Sequence, residues 1–274
     1  MSTRSGPIRA TSYTSNDIPI PDSFLSSPPS PLPTLSSVLF GPTLPEYAPH
    51  TAFLVRDVLT PAECEELLRL AERSSPASWE PALVSVGPGL EAAIPSYRHS
   101  DRIIWDRQDV VDRIWRRCML AEGVEGVMRD VPGMAALFAA REKSKNKSKD
   151  KNKNNKDKGR WVLRCLNERM RFLRYGPGMF FKPHCDAHYF TRIEGKPVET
   201  FYTLHLYLNH EGLEGGATSF LSRDSKRRVD VVPQTGTVLV FQHDNLFHEG
   251  AEVKEGVKYT MRTDVMYTWE EDAE

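Results

Sequence analysis

From residue 161 onward the chain is a succession of short runs rich in β-branched and aromatic residues: RMRFLRY, TFYTLHLYLN, ATSFL, RVDVV, TVLVF and KYTMRTDVMY. GPG, EGLEGG, PQTG and VKEG separate them, and Gly and Pro at those places end each run before it can grow. Many short strands with regular punctuation build a sandwich or a double-stranded barrel of the jelly-roll kind. The block before them, 51–139, has a different period and reads as mainly helical. There Thr60 is an N-cap with Pro61 at the first helical position and Glu63 at the third. Leu67, Leu68, Leu70 and Ala71 follow at helical spacing, and Val110, Val111, Ile114, Trp115 and Cys118 mark one face of a second helix in 107–121. The fold class expected is α+β: a jelly-roll core with N-terminal supporting helices.

Two segments look unable to join that core. Residues 1–46 are rich in Pro, Ser and Thr and read as a disordered arm. Residues 141–160, REKSKNKSKDKNKNNKDKGR, hold ten Lys/Arg against three Asp/Glu, a net of +7, and read as a disordered insert. The domain plan is therefore an arm at 1–46, a helical N-terminal part of the folded domain at 47–140, the insert at 141–160 and a β-core at 161–270. The formal charge of -1 hides this division. The arm contributes -1 and the insert +7, so the remainder carries -7, which argues against a nucleic-acid partner for the folded part.

No apolar run approaches the roughly 18 residues that span a bilayer, so no membrane partner is expected. Cys64, Cys118, Cys165 and Cys185 form no CxxC pair and read as reduced thiols, which with the absence of a secretory h-region suggests a cytoplasmic or nuclear location.

The chemistry concentrates in RYGPGMFFKPHCD. In extended chain, His184 and Asp186 face the same way while Cys185 points opposite, which makes half of a metal site. A second histidine completes a 2-His-1-carboxylate set of the kind that holds Fe(II) and leaves positions open. The candidates are His188, His205, His210, His243 and His248, and His248 stands out because it follows the TVLVF strand. Ten residues later comes Lys258, with Arg262 at i+4 on the same strand face. Either could pair with the distal carboxylate of a keto-acid cosubstrate, Arg in bidentate fashion and Lys as a point charge.

In this order, His184-x-Asp186, then His248, then Lys258 resembles the prolyl 4-hydroxylase-like branch of the 2-oxoglutarate/Fe(II)-dependent dioxygenases. The resemblance covers about 165–268, with looser likeness in FLVRDVLTPAECEELLRLAE and YRHSDRIIWD. It implies a double-stranded β-helix, an Fe(II) site at His184, Asp186 and His248, and 2-oxoglutarate and O2 as cosubstrates, with ascorbate required in many members. It also implies a tyrosine near the cosubstrate at Tyr175, with Tyr202 or Thr203 on the next strand as further contacts. The reaction implied is hydroxylation of a C–H bond in a prolyl peptide or small molecule, with release of succinate and CO2. The alternative is a non-catalytic binding or scaffold protein that keeps the barrel but not turnover.

Overall fold

A computed structural model describes residues 6–129 and 159–271. Its centre is two facing β-sheets. The larger contains the strands Arg169–Tyr175, Lys196–Tyr207, Val238–Gln242 and Lys258–Glu271; the smaller contains Phe180–His184, Thr218–Leu221, Arg228–Val231 and His248–Gly250. Along the chain these eight strands fall large, small, large, small, small, large, small, large. The last strand sits between Arg169–Tyr175 and Lys196–Tyr207, and His248–Gly250 sits between Phe180–His184 and Thr218–Leu221. That interleaving is the jelly-roll order: first and last strands become neighbours and no run stands alone. All pairings are antiparallel, so one face of the larger sheet lines the interior while the other is covered by helices.

The covering helices form as their patterns dictate. Helix α1, Pro61–Ser74, has a capping box in which Thr60 Oγ1 accepts from Glu63 N (3.3 Å) and Glu63 Oε2 accepts from Thr60 N (2.8 Å). Helix α2, Gln108–Cys118, buries Val110, Val111, Ile114, Trp115 and Cys118. These faces and α3, Val124–Arg129, pack with Tyr202, Leu204, Leu206, Met261 and Val265 of the larger sheet into one apolar cluster. Residues 47–129 are not mainly helical, however. They also supply strands Ala52–Arg56 and Asp101–Asp106, which widen the larger sheet, and the hairpin Val84–Gly87 with Leu90–Ala92. Ala52–Arg56 and Asp101–Asp106 each pair with a core strand on one edge, whereas the hairpin forms a separate sheet with Arg9–Ala10.

The expectation of a disordered arm at 1–46 is corrected for the described residues 6–46. Ile18, Phe24 and Leu25 enter the helix-side cluster, Phe40 and Leu44 enter a second cluster with Tyr207 and Phe220, and Thr34–Ser37 pairs with Ala52–Arg56. Composition misled because a few well-placed apolar anchors suffice when proline has already reduced the freedom of the unfolded chain. Of the expected insert, residues up to 158 lie outside the described residues, as do 130–140. Gly159 and Arg160 begin the strand Gly159–Leu166, paired with the last strand. Among the described residues, no helix is long and apolar enough to cross a membrane.

Candidate metal and cosubstrate site

Strand pairing brings the histidines together. His184 ends its strand opposite His248 in the register, and their rings lie 4.4 Å apart by centroid. Asp186 follows His184 by two residues, so its carboxylate returns to the same side: Oδ1 is 3.6 Å from His184 Nε2 and Oδ2 is 3.9 Å from His248 Nε2. One donor atom from each residue lies within 4.8 Å of the other two.

Both imidazoles are oriented by the backbone. His184 Nδ1 donates to Lys182 O at 2.8 Å, and His248 Nδ1 donates to Leu246 O at 2.9 Å. A carbonyl only accepts, so each Nδ1 carries a proton and each Nε2 is turned toward the site. Burial, then the neighbouring His184, pushes His248 down to about 4, which keeps it neutral at pH 7 as a metal ligand must be. Burial alone would raise Asp186, but Arg262 and the two histidines hold it well below the usual carboxylate range. Its Oδ2 accepts from Thr203 Oγ1 at 2.5 Å and pairs with Arg262 at 3.2 Å. Two imidazoles and an ionised carboxylate suit Fe(II), and no fourth His, Cys, Asp or Glu of the described residues joins them, as a closed structural zinc site would require.

The triad opens into a pocket also lined by Arg98, Arg171, Tyr175, Thr203, His205, Thr218, Lys258 and Arg262. The two candidate cations differ there. Arg262 is occupied: its Nη2 lies 3.2 Å from Asp186 and 3.0 Å from Asp264. Lys258 is 3% exposed, with Nζ 5.4 Å and 5.7 Å from the centroids of the Tyr175 and Tyr207 rings. Among the described residues no carboxylate reaches it, and burial pushes its amine down to about 7. His205 Nε2 is buried without a hydrogen-bond partner, and burial followed by the charges of Lys258 and Arg262 keeps that ring neutral. A buried amine and an orphaned imidazole nitrogen beside the triad fit an acid chelated at the metal.

Tyr175 lines this pocket, and Thr203 reaches it through Asp186, but Tyr202 does not. Side chains alternate along Lys196–Tyr207, so Thr203, His205 and Tyr207 face inward while Tyr202 joins Leu204 and Leu206 against the helices. The expectation of a cosubstrate contact at Tyr202 is corrected on that ground. The other histidines go elsewhere. His243 is buried 3.6 Å from Asp264, His188 lies between Glu199 and Asp244, and His210 is bonded to Thr235 at 2.7 Å. Burial lowers His188, but Asp244 and Glu199 prevail and raise it to about 9, so it is a cation rather than a ligand.

Sequence reasoning missed Arg98, Arg171 and Thr218. Arg171 was open to discovery, since Arg171, Leu173 and Tyr175 share one strand face at i, i+2 and i+4. Arg98 comes from a two-residue strand far upstream and gives no such signal.

Comparison with known families finds a match over residues 170–263 to the 2OG-Fe(II) oxygenase superfamily. No curated protein sequence matches. Similar solved structures include a viral collagen prolyl hydroxylase of Paramecium Bursaria Chlorella virus-1 in complex with 2OG, at 16% identity over 78% of this chain and 95% of that one, TM-score 0.42. A Pseudomonas putida prolyl-4-hydroxylase is similar at 14% identity over 81% and 96%, TM-score 0.48. A Trichoplax adhaerens prolyl hydroxylase in complex with a hypoxia inducible factor peptide fragment is similar at 12% identity over 86% and 84%, TM-score 0.40.

Proposed function

We propose, from the match of residues 170–263 to the 2OG-Fe(II) oxygenase superfamily, that the chain is such an oxygenase and hydroxylates a C–H bond of a prolyl peptide or small molecule, releasing succinate and CO2. The observation that carries this reading is the meeting of His184, Asp186 and His248 in one pocket with a lysine that has no carboxylate.

In this reading His184 Nε2, Asp186 and His248 Nε2 hold Fe(II). The bound iron supplies, with 2-oxoglutarate and O2, the oxidative chemistry that side chains lack. Lys258 takes the distal carboxylate of 2-oxoglutarate as a buried point charge, with Tyr175 and His205 beside it. Arg262 keeps Asp186 ionised and, with Thr203, fixes its orientation. Tyr207 Oη donates to Thr218 Oγ1 at 2.8 Å, which sets Thr218 on the pocket wall with the Tyr207 ring near Lys258.

The test is anaerobic titration with Fe(II) and 2-oxoglutarate, monitoring the visible charge-transfer band, followed by succinate assay in air. The band and turnover are expected in the wild type and absent from His184→Ala and Asp186→Ala. A wild type with neither would overturn the reading. A scaffold protein has no need of a complete ligand set and an unmatched buried lysine, and no observation favours that alternative.

A further inference from the structure

Arg98 stands in the same pocket as the triad, on the two-residue strand Arg98–His99 that pairs with Phe180 and Phe181. Its guanidinium lies 4.5 Å from the centroid of the Phe181 ring, and that ring stacks on His184 at 3.8 Å. Arg98 is therefore held one aromatic ring from a proposed iron ligand. Its hydrogen bonds go only to neutral acceptors: Nε donates to Ser100 Oγ at 3.3 Å and Nη1 to Leu83 O at 3.2 Å.

The other arginines of this region all have carboxylates. Arg102 pairs with the buried Glu91 at 2.9 Å, Arg171 with Asp264 at 3.1 Å, and Arg262 with Asp186 and Asp264. Among the described residues Arg98 has no carboxylate within ion-pair distance, a property it shares in this pocket only with Lys258. Burial disfavours its protonated form, Tyr175 opposes that, and the charges of Arg102, Arg262 and Arg171 add to it, leaving the guanidinium lowered from its ordinary value. A cation crowded by cations and set in place by a ring and two acceptors is preorganised for an anion.

The count of carboxylates identifies that anion. On the reading proposed above, 2-oxoglutarate brings two: one goes to the metal and the other to Lys258. Neither is left for Arg98. We infer that Arg98 receives a carboxylate carried by the substrate, so that the molecule hydroxylated here is an acid, such as a free amino acid or a peptide presenting its C-terminal carboxylate. This inference rests on the oxygenase reading for the placement of 2-oxoglutarate, and Arg98 then acts in substrate selection.

Acetate, with acetamide as its uncharged counterpart, is the probe. The full chain is loaded with Zn(II), which is redox-inert, and saturated with 2-oxoglutarate so that Lys258 is occupied. Saturation-transfer NMR then reads binding of each probe. Acetate should bind the wild type and acetamide should not. Arg98→Gln should weaken acetate by at least about tenfold, the scale of a charge-assisted hydrogen bond, and Arg98→Lys should restore part of it. Arg98→Gln should leave 2-oxoglutarate affinity within about twofold of wild type, since that ligand's carboxylates are satisfied elsewhere. Equal acetate binding by wild type and Arg98→Gln would overturn the inference. So would a loss of 2-oxoglutarate affinity in Arg98→Gln as large as that in Lys258→Met, because Arg98 would then serve the cosubstrate. Circular dichroism establishes that each variant is folded. Zn(II) and 2-oxoglutarate binding are measured first without acetate. Their failure in the wild type counts against the oxygenase reading, whereas acetate binding lost with Arg98 scores the anion site by itself.

Discussion

Replacing Lys258 by Met should stabilise the empty protein and weaken 2-oxoglutarate binding, two opposite effects of one side chain. Burial takes the amine from 10.5 to about 7, and at about 1.4 kcal/mol per pKa unit this corresponds to about 5 kcal/mol. Below pH 7 the amine is charged in both folded and unfolded chains, and the folded form carries the whole cost. Between pH 7 and 10.5 the folded chain gives up its proton before the unfolded chain does, so the cost shrinks as pH rises. Methionine has similar volume and no charge. K258M should therefore exceed wild type by up to about 5 kcal/mol at pH 6 and by only about 1 kcal/mol at pH 9.5. With 2-oxoglutarate at saturation the K258M advantage should narrow at pH 6 and reverse at pH 9.5, because losing one partner of a buried charge pair costs about 2–5 kcal/mol, at least about 30-fold in affinity. Urea denaturation of both proteins at the two pH values, with and without Zn(II) and 2-oxoglutarate, measures all of this. A K258M protein less stable than wild type at pH 6, or a gap that does not change with pH, would refute the reasoning.

Three further outcomes follow from the geometry. Asp186→Ala should abolish metal binding in calorimetry and leave Arg262 facing only Asp264 as a carboxylate partner, whereas Asp186→Glu should retain weak binding. Thr60→Ala should destabilise the chain by about 0.5–2 kcal/mol in urea denaturation, because it removes the hydroxyl half of the α1 capping box. Gly236→Ala should cost about 3 kcal/mol or more by the same measurement. Gly236 has φ +74, and a Cβ there would lie 1.8 Å from Leu59 O, the backbone that holds the PQTG turn to the start of α1.

Most of the β-core was legible because its strands state their identity locally. RMRFLRY and KYTMRTDVMY alternate inward and outward residues at period two, and the structure pairs them directly from Arg171↔Arg262 to Tyr175↔Lys258. The three-residue strand His248–Gly250 is too short to show a period. Its histidine was found through its place after TVLVF. The N-terminal arm was misread because composition counts proline and serine but does not see where Ile18, Phe24 and Phe40 land. Tyr202 and Thr203 could not be told apart in advance. The strand bulges between Thr200 and Tyr202, which decides which of two adjacent residues faces inward.

What the sequence determined by itself is therefore what depends on neighbours in the chain: the turn-punctuated β-core, the capped helix α1, and the His184-x-Asp186 pair with His248 and Lys258 downstream. The tertiary structure alone decided which charges meet. In the sequence the ten-residue offset from His248 favours Lys258 as the anchor but leaves Arg262, four residues on along the same strand, as a rival. In the fold Arg262 lies against Asp186 and Asp264, and Lys258 lies between two aromatic rings with no carboxylate. Arg98, about 85 residues before the triad, enters the same pocket through a strand pairing that no local pattern announces. Periodicity and capping act over a few bonds and are written in sequence. Charge compensation acts through space, and only the folded chain shows which cations remain to be matched by a ligand.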